Sequence, residues 1–187
     1  MRNIMMLIIF ALCTPGMCDT FSAKGHKKSN GLNIEVHYPN GWTAEEAIRP
    51  HIVQKFVHEG GSMCLLDIYP IGKFLSKDEW ASEFELMTRV EYEILFGNDT
   101  KVISFNKTRY EGLDGVLLRT QGMHQRSGAT FYSDNMVHML GYKDSLISLV
   151  CMSIGTTRQK SIQGFEKKES DFLQFGNGLV LLDLYVK

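Results

Sequence analysis

The first regular alternation in the chain covers residues 34–38, where Ile34, Val36 and Tyr38 share one face and Glu35 and His37 share the other. That is the period of a half-buried strand. Pro39 has no backbone N–H to give and Asn40-Gly41 tolerates positive φ, so the strand ends in a corner from which Trp42 emerges. A large aromatic after a rigid turn folds back over the core edge with its indole N–H near a partner. The functional alternative for Trp42 is a stacking platform for a ligand. Residues 44–49 read as a short helical turn or loop closed by Pro50. Residues 52–58 alternate again, with Ile52, Gln54 and Phe56 opposed to Val53, Lys55 and Val57, and Gly60-Gly61 turns them into a partner strand over 63–68.

Ser76 with Glu79 three residues on forms a capping box ahead of an apolar series at Trp80, Phe84, Met87, Val90 and Ile94. The three- and four-residue steps predict one long helix that lies on a sheet, points Glu83, Glu85, Arg89 and Glu93 outward, and stops at Gly97-Asn98. Four strands are expected next, over 101–110, 116–125, 129–140 and 145–154. Gly112-Leu113-Asp114-Gly115, Arg126-Ser127-Gly128 and Gly141-Tyr142-Lys143-Asp144 join them as hairpins of an antiparallel meander. The last is apolar on both faces, which places it centrally. A second helix is expected from Ser170 to Phe175, and 179–186 fits a closing strand as well as a continued helix. The fold class is α+β, a single antiparallel sheet covered by helices. One domain over 32–187 is expected, preceded by a flexible polar segment over 19–31.

Arg2, an apolar run over 4–12 and the small or turn-forming Thr14, Pro15 and Gly16 open the chain. A run of about nine residues suits the core of a secretory signal and falls well short of the ~20 needed to cross a bilayer. Residues 1–18 are therefore expected to be a signal peptide cut after Cys18, with cleavage after Ser22 or Ala23 as the alternative. A lipid anchor on Cys13 or Cys18 stays open, although Leu12 and Met17 are bulky where a small residue normally precedes such a cysteine. The chain carries 20 basic and 21 acidic residues. That near-neutral balance excludes a phosphate-neutralising nucleic-acid binder. The one basic cluster, Lys24, His26, Lys27 and Lys28, reads as a solvated tail, with anionic lipid head groups as the alternative.

The Tyr38-Pro39-Asn40-Gly41-Trp42 corner, the capped helix, the Gly112-Leu113-Asp114-Gly115 hairpin and the late Phe172 and Phe175 together resemble the PsbP-like superfamily, including bacterial DcrB-type envelope proteins. The resemblance spans about residues 30–187. It implies an α-β-α sandwich that acts through binding or assembly, since its relatives include a photosystem II subunit and a Ran-binding import factor. They share a fold and no common chemistry. No catalytic motif carries over, and nothing here points to photosynthesis.

Enzyme chemistry finds little footing in the residues themselves. Cys64 and Cys151 each sit in an apolar strand, where burial raises a thiol pKa. They are buried free thiols or, in an oxidising compartment, a disulfide; nucleophilic catalysis with His37, His51, His58, His124 or His138 as base is the remaining reading. His51 and His58 are roughly 23 Å apart if their strand is extended and cannot share an ion. His124 and His138 fall out of register across their turn. No metal, cofactor or catalytic residue is assigned, and no His-Glu-x-x-His, Gly-x-Ser-x-Gly, phosphate loop or Cys-x-x-Cys is present. Asp78, Glu83, Glu85 and Glu93 form an acidic helix face that is an ordinary solvated surface or, with Trp42, a surface for a basic partner. The expectation is an exported, non-enzymatic binding or assembly accessory protein of the bacterial cell envelope, periplasmic, with an envelope protein or small ligand as partner and a membrane contact only if lipidated. The alternative is a secreted hydrolase with an unrecognised active site. Mass spectrometry of the cell-associated protein should find a mature terminus near Asp19. An intact Met1 would refute export, and a diacylated Cys13 or Cys18 would replace release by anchoring.

Overall fold

The structure, a computed structural model, describes residues 18–97 and 99–185. Of the expected signal over 1–18, residues 1–17, with Cys13, lie outside them, and Cys18 is the first residue described. In chain order the elements are β1 (Cys18–Ser22), β2 (Ile34–Pro39), β3 (Trp42–Glu45), β4 (Ile52–His58), β5 (Ser62–Pro70), α1 (Lys77–Leu86) and α2 (Arg89–Phe96). There follow β6 (Thr100–Tyr110), β7 (Leu113–Arg126), β8 (Ala129–Tyr142), β9 (Ser145–Gly155), α3 (Arg158–Asn177) and β10 (Leu179–Leu181). The α+β class holds. Seven antiparallel strands form the main sheet in the order β3-β4-β5-β9-β8-β7-β6, and β1-β2-β10 form a second, small antiparallel sheet.

The doubly apolar β9 is the middle strand of the seven. On one face Leu149 and Cys151 of β9, Met136 and Leu140 of β8, and Phe56 of β4 meet Phe165, Phe172 and Phe175 of α3 and the apolar side of β2. On the other face Trp80 and Phe84 of α1 and Tyr92 of α2 cover Val116, Leu118, Val137 and Met139. Cys64 and Cys151 stand opposite each other on β5 and β9 and are joined by a disulfide.

Several sequence expectations change. The polar segment 19–31 is part of the fold: β1 pairs with β2, Phe21 meets Phe56 edge-on at 5.9 Å, and Ala23, Ser29 and Leu32 are buried. Its buried residues are too widely spaced to give a period. Of the stretch 44–49, expected as a helical turn or loop, Ala44 and Glu45 extend a strand from Trp42, paired to β4 from Trp42 opposite His58 to Glu45 opposite Lys55, and 46–49 are loop. The single long helix is two helices. Met87 is extended (ψ 127°), and Thr88 with Glu91 forms a second capping box that starts α2 afresh. The restart rotates the helix, so Tyr92 is buried while Val90 and Ile94 face solvent. The hairpin before β7 turns on Glu111 and Gly112, both at positive φ (50° and 76°), two residues earlier than expected. The final helix begins at Arg158, where Thr157 caps it, twelve residues ahead of Ser170. The tail resolves as strand β10 on β2, followed by a 3-10 turn over Leu182–Leu184.

One buried polar network fastens α3 to the sheet. The His138 Nε2–H donates to the Phe172 carbonyl at 3.0 Å, which leaves Nδ1 to accept from the Tyr110 hydroxyl at 3.0 Å. A Cβ on Gly176 would lie 2.1 Å from the His138 ring, so only glycine lets the helix come this close.

Two outcomes are expected. Phe84→Ala should lower stability by roughly 3–5 kcal/mol and Glu83→Ala by less than about 0.5 kcal/mol in a denaturant titration. Burial pushes His138 down to about 4 from an ordinary 6.5. Because the folded value is the depressed one, its contribution is complete above about pH 6.5 and is lost as pH falls through 4, on the order of 3 kcal/mol in all. NMR titration of the imidazole checks it; a midpoint near 6.5 would contradict it.

Candidate functional site

Trp42 belongs to the aromatic packing under α3. It is 3% exposed, its ring lies 5.0 Å from Phe175 and 6.0 Å from Phe172, and its Nε1–H donates to Asp171 at 3.0 Å. No ring face is left for a stacked ligand. Lys168 holds the same Asp171 oxygen at 2.9 Å and donates to His58 Nε2 at 2.9 Å.

The acidic residues are not brought together. Glu83 is exposed on α1, and Glu85 pairs with Lys107 at 2.7 Å beside a hollow of about 600 Å³ under α1. Glu93, on the separate α2, accepts the Val102 backbone N–H at 3.0 Å and faces Arg89 at 3.7 Å. Its carboxylate thus serves the start of β6. The histidines are also dispersed: His37 bonds Thr20, His51 stacks on Tyr69 and His138 is buried under α3. Among the described residues no three His, Cys, Asp or Glu side chains gather closely enough to hold a metal ion.

An open groove lies on the face that carries α1 and α2. Both helices sit over β6, β7 and β8, with Leu146 and Val150 of β9 packed against their cluster, and neither is a main neighbour of β4 or β5. The groove has a volume of about 700 Å³. Its floor is Met63 and Leu65 of β5 with Met152 and Ile154 of β9, and Phe131 of β8 and Ile52 of β4 form its walls. Ile52 arrives there through a β-bulge at Val53. Ile52 pairs with Asp67 and Gln54 with Leu66, which moves Ile52 to the opposite face from the one that simple alternation gives it. The loop after β3 overhangs one side with Ile48, 99% exposed.

Charge on the rim is predominantly positive. Arg49, Lys55 and Arg126 line the groove, against Glu46 as the acid of its lining. Lys55 is neutralised by Glu45 at 2.6 Å. Neither arginine makes a salt bridge among the described residues. Asp67, next to Ile52 in the ladder, is buried with Oδ1 unpartnered, and desolvation raises its carboxyl from 3.8 to about 7, partly offset by Arg49.

A serine–histidine contact also touches this site. His124 folds back over Gly122, where a Cβ would meet both partners at 2.8 Å, and its Nε2 reaches Ser133 Oγ at 3.1 Å. Ser133 is 1% exposed, and no carboxylate among the described residues orients the ring. The pair lacks the access and the third member that an activated nucleophile requires.

Sequence reasoning missed the groove residues because each reads as ordinary core. The available signal was a surplus: Met63, Leu65, Met152 and Ile154 are apolar on a face over which the described residues place two short helices.

No family model matches the chain, and no curated protein sequence matches it. Solved structures do. The chain is similar to the cyanobacterial PsbP (CyanoP) of Synechocystis sp. PCC 6803, at 13% identity over 90% of this chain and 95% of that one, with a TM-score of 0.54. It is also similar to the Ran-binding protein Mog1p of Saccharomyces cerevisiae, at 11% identity over 90% and 98%, with a TM-score of 0.50. The fold is therefore PsbP- and Mog1-like.

Proposed function

We propose that the chain is an exported, non-catalytic binding or assembly protein of the bacterial cell envelope, of the DcrB type and periplasmic, that holds its partner in the groove beside β4 and β5. The observation that carries this reading is a sheet face, two of whose strands are tied by a disulfide, with an apolar floor and a basic rim. An apolar hollow of this size with a few charged groups at its edge is the usual form of a ligand site. Export is supported by Arg2 and the apolar run over 4–12, and by a disulfide, which persists in oxidising compartments. No helix among the described residues is long and apolar enough to cross a membrane. A lipid on Cys13 or Cys18 would give an anchored form of the same protein. The fold is compatible with a binding role, as Mog1p is named a Ran-binding protein.

The second reading, a hydrolase, would have to rest on the His124–Ser133 contact. The two separate in one experiment. The protein, immobilised and exposed to envelope extract, should retain a specific component, and Ile154→Asp should abolish retention with the fold intact by circular dichroism. A serine- or cysteine-directed activity probe should label no residue. Labelling of Ser133 would establish the hydrolase instead.

A further inference from the structure

The geometry points to a long-chain fatty-acid carboxylate as the occupant of the groove, an inference that rests on the binding reading above. The first reason concerns hydrogen bonding. The floor strands β5 and β9 pair with each other and with the flanking β4 and β8 in antiparallel ladders, interrupted at the Val53 bulge of β4. The floor offers an occupant side chains and few free backbone groups. A peptide laid on Met63, Leu65, Met152 and Ile154 would strand its own N–H and C=O groups against apolar atoms, at a penalty for each. An acyl chain has no such groups to satisfy. Its methylenes would instead remove the floor, and the fully exposed Ile48 above it, from water.

The floor is also suited to a chain of variable shape. Two of its four side chains are methionines, unbranched and polarizable, which adjust to an occupant better than branched residues do. A groove of about 700 Å³ is within the range that encloses one ligand of modest size.

Charge selects the head group. With Lys55 committed to Glu45, Arg49 and Arg126 are the rim cations left to meet a ligand. Arg49 acts on the buried Asp67, whose carboxyl desolvation raises from 3.8 to about 7, and Glu46 is the acid of the groove lining. A guanidinium presents a planar fork that matches a carboxylate, and both arginines are exposed, so neither must leave a fixed partner in order to bind. A neutral chain would forgo this contact and a cationic one would be repelled.

The test uses the protein as purified from cells, with palmitate, hexadecanol and hexadecyltrimethylammonium each held below its aggregation threshold. Calorimetry should give one palmitate per chain, with both other ligands at least about tenfold weaker. Arg126→Gln should weaken palmitate by about tenfold and leave hexadecanol unchanged. Ile48→Asp should weaken palmitate and hexadecanol alike. Both positions are exposed, and unchanged unfolding midpoints would show that the fold is intact. Hexadecanol or the ammonium binding as tightly as palmitate, or palmitate affinity unmoved by both Arg126→Gln and Arg49→Gln, overturns the inference. The methyl resonances of Met63 and Met152 separate its failure from that of the broader reading. Palmitate should shift them. If an envelope fraction shifts them and palmitate does not, the groove is the binding surface and the occupant's chemistry is wrong. If neither does, both readings fall.

Discussion

A seven-stranded sheet must hide two apolar faces, and the helices among the described residues are too few to hide both. At ~4.8 Å between strands the sheet is roughly 30 Å wide, while one helix with its side chains covers about 10 Å. The face under α3 is closed because β1, β2 and β10 add a second layer beside the helix. The opposite face has only α1 and α2, and their position over β6 to β8 leaves β4 and β5 open. The groove is what remains of that uncovered width. Its floor is held by the most securely embedded strand, β9, so the open surface is also a stiff one.

The closed face is assembled by interlock more than by area. Phe175 touches Trp42, Tyr38 and Phe56, and those three come from β3, β2 and β4. The His138 ring takes the space that a side chain on Gly176 would fill. Across the middle, the Cys64–Cys151 disulfide links positions 87 apart in sequence, which in the chain-entropy account contributes about 4–5 kcal/mol by restricting the unfolded ensemble. The helix, the small sheet and the central strand pair are thus fixed relative to one another before any ligand is considered.

The fold was legible wherever one period governed one element. The alternation of Ile34, Val36 and Tyr38, the apolar run of β9 and the glycine-bearing hairpins gave the antiparallel meander and its central strand. Legibility failed where a local event overrode the period. Thr88 and Glu91 form a cap within an apolar series and split one helix into two, and a single bulged residue, Val53, carries Ile52 across the sheet. The site suffered most from this. Trp42 and the glutamates attracted attention as unusual residues, yet the groove is lined by Met63, Leu65, Met152 and Ile154, which look like core in the sequence and are set apart only by what fails to cover them.

The small sheet brings the two ends of the described chain together. Asn33 bonds Asp183, 150 positions away, and Val36 lies opposite Leu179. In a chain emerging from its N-terminal end, Ile34 and Val36 appear early, and β10 and α3, which shelter them, appear last. Contacts this distant are slow to form because a long loop must be closed first. During synthesis, the early strand would stay uncovered until α3 and β10 were available. Folding would then finish as a single late closure, and the nascent protein would depend on whatever shields an apolar strand while it waits.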